Sequence, residues 1–153
     1  MFRLLILLLL IGCTTGPEHP LPRSRVVELV PEFPTEDISV TLTGLNPDWS
    51  AFLVKLWYWD QHTRIDGMCN ILTKSIYLDR EIWATSSEAE RRVTLLHELG
   101  HCLFNRLFHT SGDLQDDGCV NSLMSIDVVD EVCYIRHEAY YLDELQFPEK
   151  YGN

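Results

Sequence analysis

The hydrophobic pattern of this chain changes period several times, and each change marks an element. Leu4 to Ile11 are eight consecutive aliphatic residues, too few for a membrane span, which needs about 20. Behind Met1-Phe2-Arg3 they read as a processed leader over residues 1–12. Residues 14–24 (TTGPEHPLPRS) are proline-rich and polar, so 13–24 is expected to be a flexible spacer. Arg25–Val30 and Ile38–Thr43 are short β-type runs, with Pro31 and Pro34 breaking the chain between them. Pro47 opens a predicted helix over about 47–62, where Phe52, Leu53, Leu56, Trp57 and Trp59 recur at near-helical spacing as core residues.

Downstream the signals sharpen. Ser75-Ile76-Tyr77-Leu78-Asp79 alternates with period two and predicts a strand. Ser87-x-x-Glu90 is a capping box, opening a helix expected to run to about Asn105. It is apolar nearly all round, through Val93, Leu95, Leu96, Leu99, Cys102, Leu103 and Phe104, which makes it a buried central helix. Residues 109–127 are rich in Gly, Asp and Ser and read as a loop. A last helix, Asp130 to about Gln146, stops before Pro148. The expected fold is α+β: a small mixed sheet packed on the central helix, with a C-terminal helix, in one domain over 25–153.

The 153 residues are 46% hydrophobic and 10% aromatic, enough for one core and not for two. The formal charge of −11 becomes −12 without the leader and its single arginine. So acidic a surface lacks the basic footprint that nucleic acid needs; the expected state is a monomer with no nucleic-acid partner. Leu10-Ile11-Gly12-Cys13 resembles the lipobox of bacterial lipoproteins. The resemblance implies lipidation of Cys13 and a membrane-anchored location in the cell envelope, facing the periplasm or the surface. Export implies an oxidising compartment, where Cys69, Cys102, Cys119 and Cys133 allow two disulfides in three pairings. Cys69–Cys102 with Cys119–Cys133 is the pairing expected. With no Cys-x-x-Cys, a thiolate zinc site is not indicated.

His97-Glu98-Leu99-Gly100-His101 carries the chemistry. Residues four apart on a helix point the same way, as two ligands of one tetrahedral zinc must. Glu98, about 100° further round, lies beside such an ion and can take a proton from zinc-bound water. Two histidines and a glutamate on a buried helix are costly without partners, and Zn2+ supplies one for all three. Gly100 costs about 1 kcal/mol relative to alanine in a helix, which implies close approach of a neighbouring element.

This helix-borne HExxH, followed by Asn121-Ser122-Leu123-Met124-Ser125, resembles the zincin metallopeptidases, particularly the metzincins, with Met124 in the place of their Met-turn. The wider run HELGHCLFNR…H…SLMS is similar to small bacterial lipoprotein peptidases. The resemblance covers about 65–147. It departs at the third ligand: the metzincin pattern puts glycine at 104 and histidine at 107, where Phe104 and Leu107 stand. His109 is the ligand chosen, since a helix stop near Asn105, a residue that tolerates the left-handed region, turns the chain back. Asp113, Asp116, Asp117, His137 and Glu138 are the other donors; His19 and His62 read as surface residues.

The implied function is zinc-dependent endopeptidase action on polypeptide, with Glu98 as base and a tyrosine among Tyr134, Tyr140 and Tyr141 available to the oxyanion. Ser75–Asp79 is the strand expected to pair with extended substrate. One alternative is a non-catalytic zinc-binding lipoprotein, an adaptor or metal buffer, against which Glu98 counts. Another is hydrolysis of a non-protein amide such as a peptidoglycan cross-link.

Overall fold

The computed structural model describes residues 14–45, 66–110, 114–125 and 129–152; the leader, Cys13, the helix expected over 47–62, His62 and Asp113 lie outside them. Four strands form one mixed sheet: β1 (Thr14–Pro20), β2 (Ser39–Leu45), β3 (Gly67–Asn70) and β4 (Ser75–Asp79), in the order β1-β2-β4-β3. β2 and β4 are parallel, while β1 on β2 and β3 on β4 are antiparallel. The helices are α1 (Arg23–Leu29), α2 (Arg80–Thr85), α3 (Glu88–Cys102) and α4 (Glu131–Gln146). The fold is thus α+β. Among the described residues no helix is long and apolar enough to cross a membrane.

The best-marked elements form where local chemistry predicts them. β4 spans the alternating Ser75–Asp79, with Ile76 and Leu78 buried. Ser87 caps α3 in a reciprocal box with Glu90, satisfying two otherwise orphaned donors. Asp130 caps α4 by accepting from the Cys133 amide, and Pro148 opens a single 3-10 turn just beyond its end. Both expected disulfides are present, Cys69–Cys102 and Cys119–Cys133. They close loops of 33 and 14 residues, contributing about 4 and about 3 kcal/mol in the chain-entropy account.

Three expectations are corrected. Arg25–Val30 is not a strand but lies mostly in α1. Val26, Leu29 and Val30 are buried while Val27 is exposed, a helical i, i+3, i+4 stripe, and Arg25 pairs with Glu28 one turn on. The region read as a spacer carries β1, an edge strand with a register shift between Thr15 and His19. An edge tolerates Pro17 and Pro20 because only one side of it is hydrogen-bonded, and His19 is exposed there. α3 ends at Cys102 rather than near Asn105.

The core lies between the sheet and α3. Ile76, Leu78, Leu95, Leu96 and Leu99 are fully buried, and α4 closes the far side through Tyr141 and Leu145.

Candidate metal centre

α3 carries His97 and His101 one turn apart and then stops. Asn105 takes a left-handed φ of 54°, and the Arg106 amide donates back to the Gly100 carbonyl at 3.0 Å. The chain therefore reverses over the end of α3 and returns His109 to the two helical histidines. The three ring centroids form a near-equilateral triangle with sides of 5.1, 5.0 and 5.1 Å. His97 Nε2 and His109 Nε2 are 3.1 Å apart; two nitrogens at zinc–nitrogen distance on a tetrahedral ion lie about 3.3 Å apart. This cluster could hold a metal ion, since one ligand atom from each ring lies within 4.8 Å of the others.

The outer ring nitrogens are held by main chain. His97 Nδ1 donates to the Leu123 carbonyl at 2.7 Å, and His101 Nδ1 donates to the Arg106 carbonyl. In a neutral ring that leaves Nε2 with its lone pair turned inward, the tautomer a metal ligand needs. Burial pushes all three imidazoles below their ordinary value, and His97 furthest, to about 3, with the charges of His101 and His109 adding to the effect. Burial thus favours the neutral form of the rings, and the two main-chain carbonyls leave the Nε2 lone pairs of His97 and His101 available to an ion.

Glu98 is 5% exposed. Burial first, and the nearby Asp66 second, push its carboxyl up to about 8 against a hydrogen bond from the Cys69 main chain. Its Oε2 is buried without a hydrogen-bond partner. β3 passes so close that a Cβ at Gly67 would meet Glu98 Cγ at 2.8 Å and Oε1 at 2.9 Å. A buried carboxyl with an unmet oxygen, next in sequence to a helical histidine of the cluster, fits a cation and a proton-transfer site.

Met124 is fully buried. A Cβ at Gly100 would lie 2.2 Å from its Sδ and 3.1 Å from Leu145 Cδ1, which is the close approach that a glycine between the two helical ligands implies. The Thr110 amide donates to the Met124 carbonyl at 2.8 Å, pinning the His109 loop to the same turn.

The other candidate donors do not join this cluster. Asp116 is exposed. Glu138 pairs with Arg92 at 3.0 Å and accepts from the Tyr134 hydroxyl. His137 bonds Asp117 at 2.6 Å. Asp117, Cys119 and His137 are close enough to form a second cluster, but the Cys119 sulfur is bonded to Cys133 and Arg136 pairs with the Asp117 carboxylate. The hydroxyls of Tyr134, Tyr140 and Tyr141 bond Glu138, the Asn121 carbonyl and the Val120 carbonyl respectively, so each already has a partner away from the histidine cluster.

One expectation about the site is overturned. β4 (Ser75–Asp79) lies between β2 and β3 and has no open side for an added strand. β3 is the outer strand, tied to α3 by Cys69–Cys102 and lying against Glu98. Sequence reasoning passed over Gly67–Asn70 because four residues show little periodicity. The available signal was Asn70, whose side chain accepts from the Leu72 and Thr73 amides in an Asx turn that starts a hairpin. Comparison with known protein families, with curated proteins and with solved structures finds no match to this chain.

Proposed function

We propose that this protein is a zinc-dependent endopeptidase with a zincin-like fold, carried to the bacterial envelope by its leader and anchored there by a lipid on Cys13. The observation that carries the reading is the triangle of His97, His101 and His109, together with a buried, partnerless Glu98 oxygen on the same helix. Imidazole donors suit zinc, and three protein ligands leave a position open, as catalytic rather than structural zinc sites do. That open position and the unmet carboxylate oppose the adaptor alternative.

Bound zinc supplies Lewis acidity, lowering the pKa of water towards 7 and polarising a carbonyl. The remaining work falls to the chain. His97, His101 and His109 would hold the ion; the Leu123 and Arg106 carbonyls keep two of those rings in register. Glu98 takes the proton of the attacking water on its open oxygen and hands it to the leaving amine. An extended peptide adding to the outer edge of β3 passes close to that carboxylate. Met124 acts as the floor beneath the helical ligands, in the role of a Met-turn.

The test is zinc content and peptide-library cleavage for the wild type beside Glu98→Gln. The expected outcome is one zinc per chain in both, with cleavage reduced by about 10²–10⁴-fold in the variant. Equal cleavage by the two removes Glu98 from the reaction. Zinc in both without cleavage by either favours the non-catalytic alternative.

A further inference from the structure

Glu144 is a charged residue buried with no exposed surface, on α4 rather than on the elements that bear the histidines. Its Oε1 receives a hydrogen bond from Arg106 Nη1 at 2.8 Å and another from Ser122 Oγ at 2.9 Å. Each of those partners belongs to a segment that orients a ligand. Arg106 is the residue whose carbonyl takes His101 Nδ1–H. Ser122 precedes Leu123, whose carbonyl takes His97 Nδ1–H. The Ser122 hydroxyl also accepts from the Met124 amide at 3.0 Å, and the Ser125 amide returns to the Ser122 carbonyl at 3.2 Å, so the turn presenting Leu123 closes around Ser122.

We infer that Glu144 is the positioning residue of the metal centre: one buried carboxylate ties together the two segments whose carbonyls hold His97 and His101. The inference rests on the three histidines being metal ligands. The physical case is the poor return such a pair gives to stability alone. Desolvating a carboxylate and a guanidinium costs several kcal/mol each, and apolar residues of similar volume often stabilise a fold as well or better. Arg106 has a side-chain exposure of 10% and Glu144 of 0%, so this pair bears that cost in full. What an apolar pair cannot do is fix two separate segments at hydrogen-bond precision. Residues that orient ligands from behind typically govern metal affinity by 10–100-fold.

The test measures zinc affinity by chelator competition and the visible spectrum of the cobalt-substituted protein, for wild type, Glu144→Gln, the double variant Arg106→Met/Glu144→Leu, and Val26→Ala. Val26 is a buried α1 residue outside this hydrogen-bonded network and controls for general loss of stability. Glu144→Gln is expected to weaken zinc by about 10–100-fold and to alter the cobalt spectrum. Val26→Ala is expected to lower Tm while keeping wild-type affinity and spectrum. The double variant is expected to recover Tm but not affinity. Recovery of affinity together with Tm in the double variant, or a Glu144→Gln protein that binds like wild type, overturns the inference. A wild type that binds no metal refutes instead the metal-centre reading beneath it.

Discussion

Two helices of this molecule carry the same dipeptide, and among the described residues one of them gathers further histidines around it while the other does not. On α3 it is His97-Glu98; on α4 it is His137-Glu138. His97 meets two further imidazoles, and the Glu98 carboxyl keeps an oxygen without a partner. His137 meets a carboxylate at 2.6 Å, and Glu138 is answered by Arg92 and Tyr134. The difference is one of unmet demand. A buried group whose hydrogen-bonding or charge requirement is left open can recruit an ion or a proton, whereas one answered by its neighbours is finished chemistry. Spacing alone does not separate the two, since Asp117, Cys119 and His137 also satisfy a metal-ligand distance test.

The sharpest way to break this comparison is to remove one histidine from each helix. His97→Ala is expected to weaken zinc binding on the order of a thousandfold, since total binding free energies of about 10–16 kcal/mol are shared among a few ligands. His137→Ala is expected to leave it unchanged. Competition against a chromophoric chelator reads both, and equal losses would mean that the α4 cluster contributes to the bound ion.

The glutamates sharpen the contrast in the metal-free protein. The Glu98 carboxyl is raised to about 8 in the fold, so the folded state keeps its proton while the unfolded state gives it up. Stability present below the ordinary carboxyl range is therefore lost as pH rises from about 4.5 to 8. Glu98→Gln has no such proton to lose. Thermal unfolding of the metal-free protein at pH 9 is expected to show the variant more stable than wild type, on the order of 5 kcal/mol. Glu138→Gln is expected to change stability by about 0.5 kcal/mol or less, as befits a half-exposed ion pair. A Glu98→Gln protein no more stable than wild type at high pH would show that the carboxyl is better solvated than its burial implies.

How much of this was legible in advance depends on how local each signal is. The capping box at Ser87 and Glu90, the alternation of Ser75–Asp79 and the left-handed tolerance of Asn105 are carried by neighbouring residues, and they place α3, β4 and the return of His109. α1 was misread because Val26, Val27 and Val30 have β-type propensity, although the burial of 26, 29 and 30 follows a helical stripe; tertiary packing outweighed propensity. β1 was hidden by prolines that only an edge position admits. β3 exists because β4 and the Cys69–Cys102 bond hold it. Nothing within the helix that bears Glu144 announces that Arg106 and Ser122 converge on it.

A smaller effect is expected where the helices meet their neighbours. Gly100→Ala gains about 1 kcal/mol of helix propensity but drives a methyl into buried Met124 and Leu145, an overpacking that costs about 1–3 kcal/mol. The net expectation is a destabilisation of about 1 kcal/mol, accompanied by weaker zinc binding if Met124 acts as the proposed floor of the site. On α4 the reverse change, Ala139→Gly at an exposed position, costs a similar amount through propensity alone and leaves zinc affinity as it was. Measuring Tm and zinc affinity together distinguishes them. Equal stability losses with unequal affinities uphold the comparison, and a Gly100→Ala protein of wild-type affinity detaches Met124 from the site.

The smallest effect belongs to Asp117, the acid that answers His137. Its carboxyl is held below the usual range, first by the hydrogen bond from His137, then by Arg136 and the Cys119 amide. A carboxyl depressed in the fold contributes stability above its unfolded value of about 4, and loses that contribution as pH falls below it. Asp117→Asn is therefore expected to lower Tm by about 1–2 °C at pH 7, as for an exposed pair, with the gap closing below pH 4. Zinc affinity should not move at either pH, because the pair spends its charge on α4 and none on the histidine triangle. A pH-independent gap would assign the loss to packing around Cys119–Cys133. A change in zinc affinity would connect the two clusters and remove the distinction between an answered histidine and an open one.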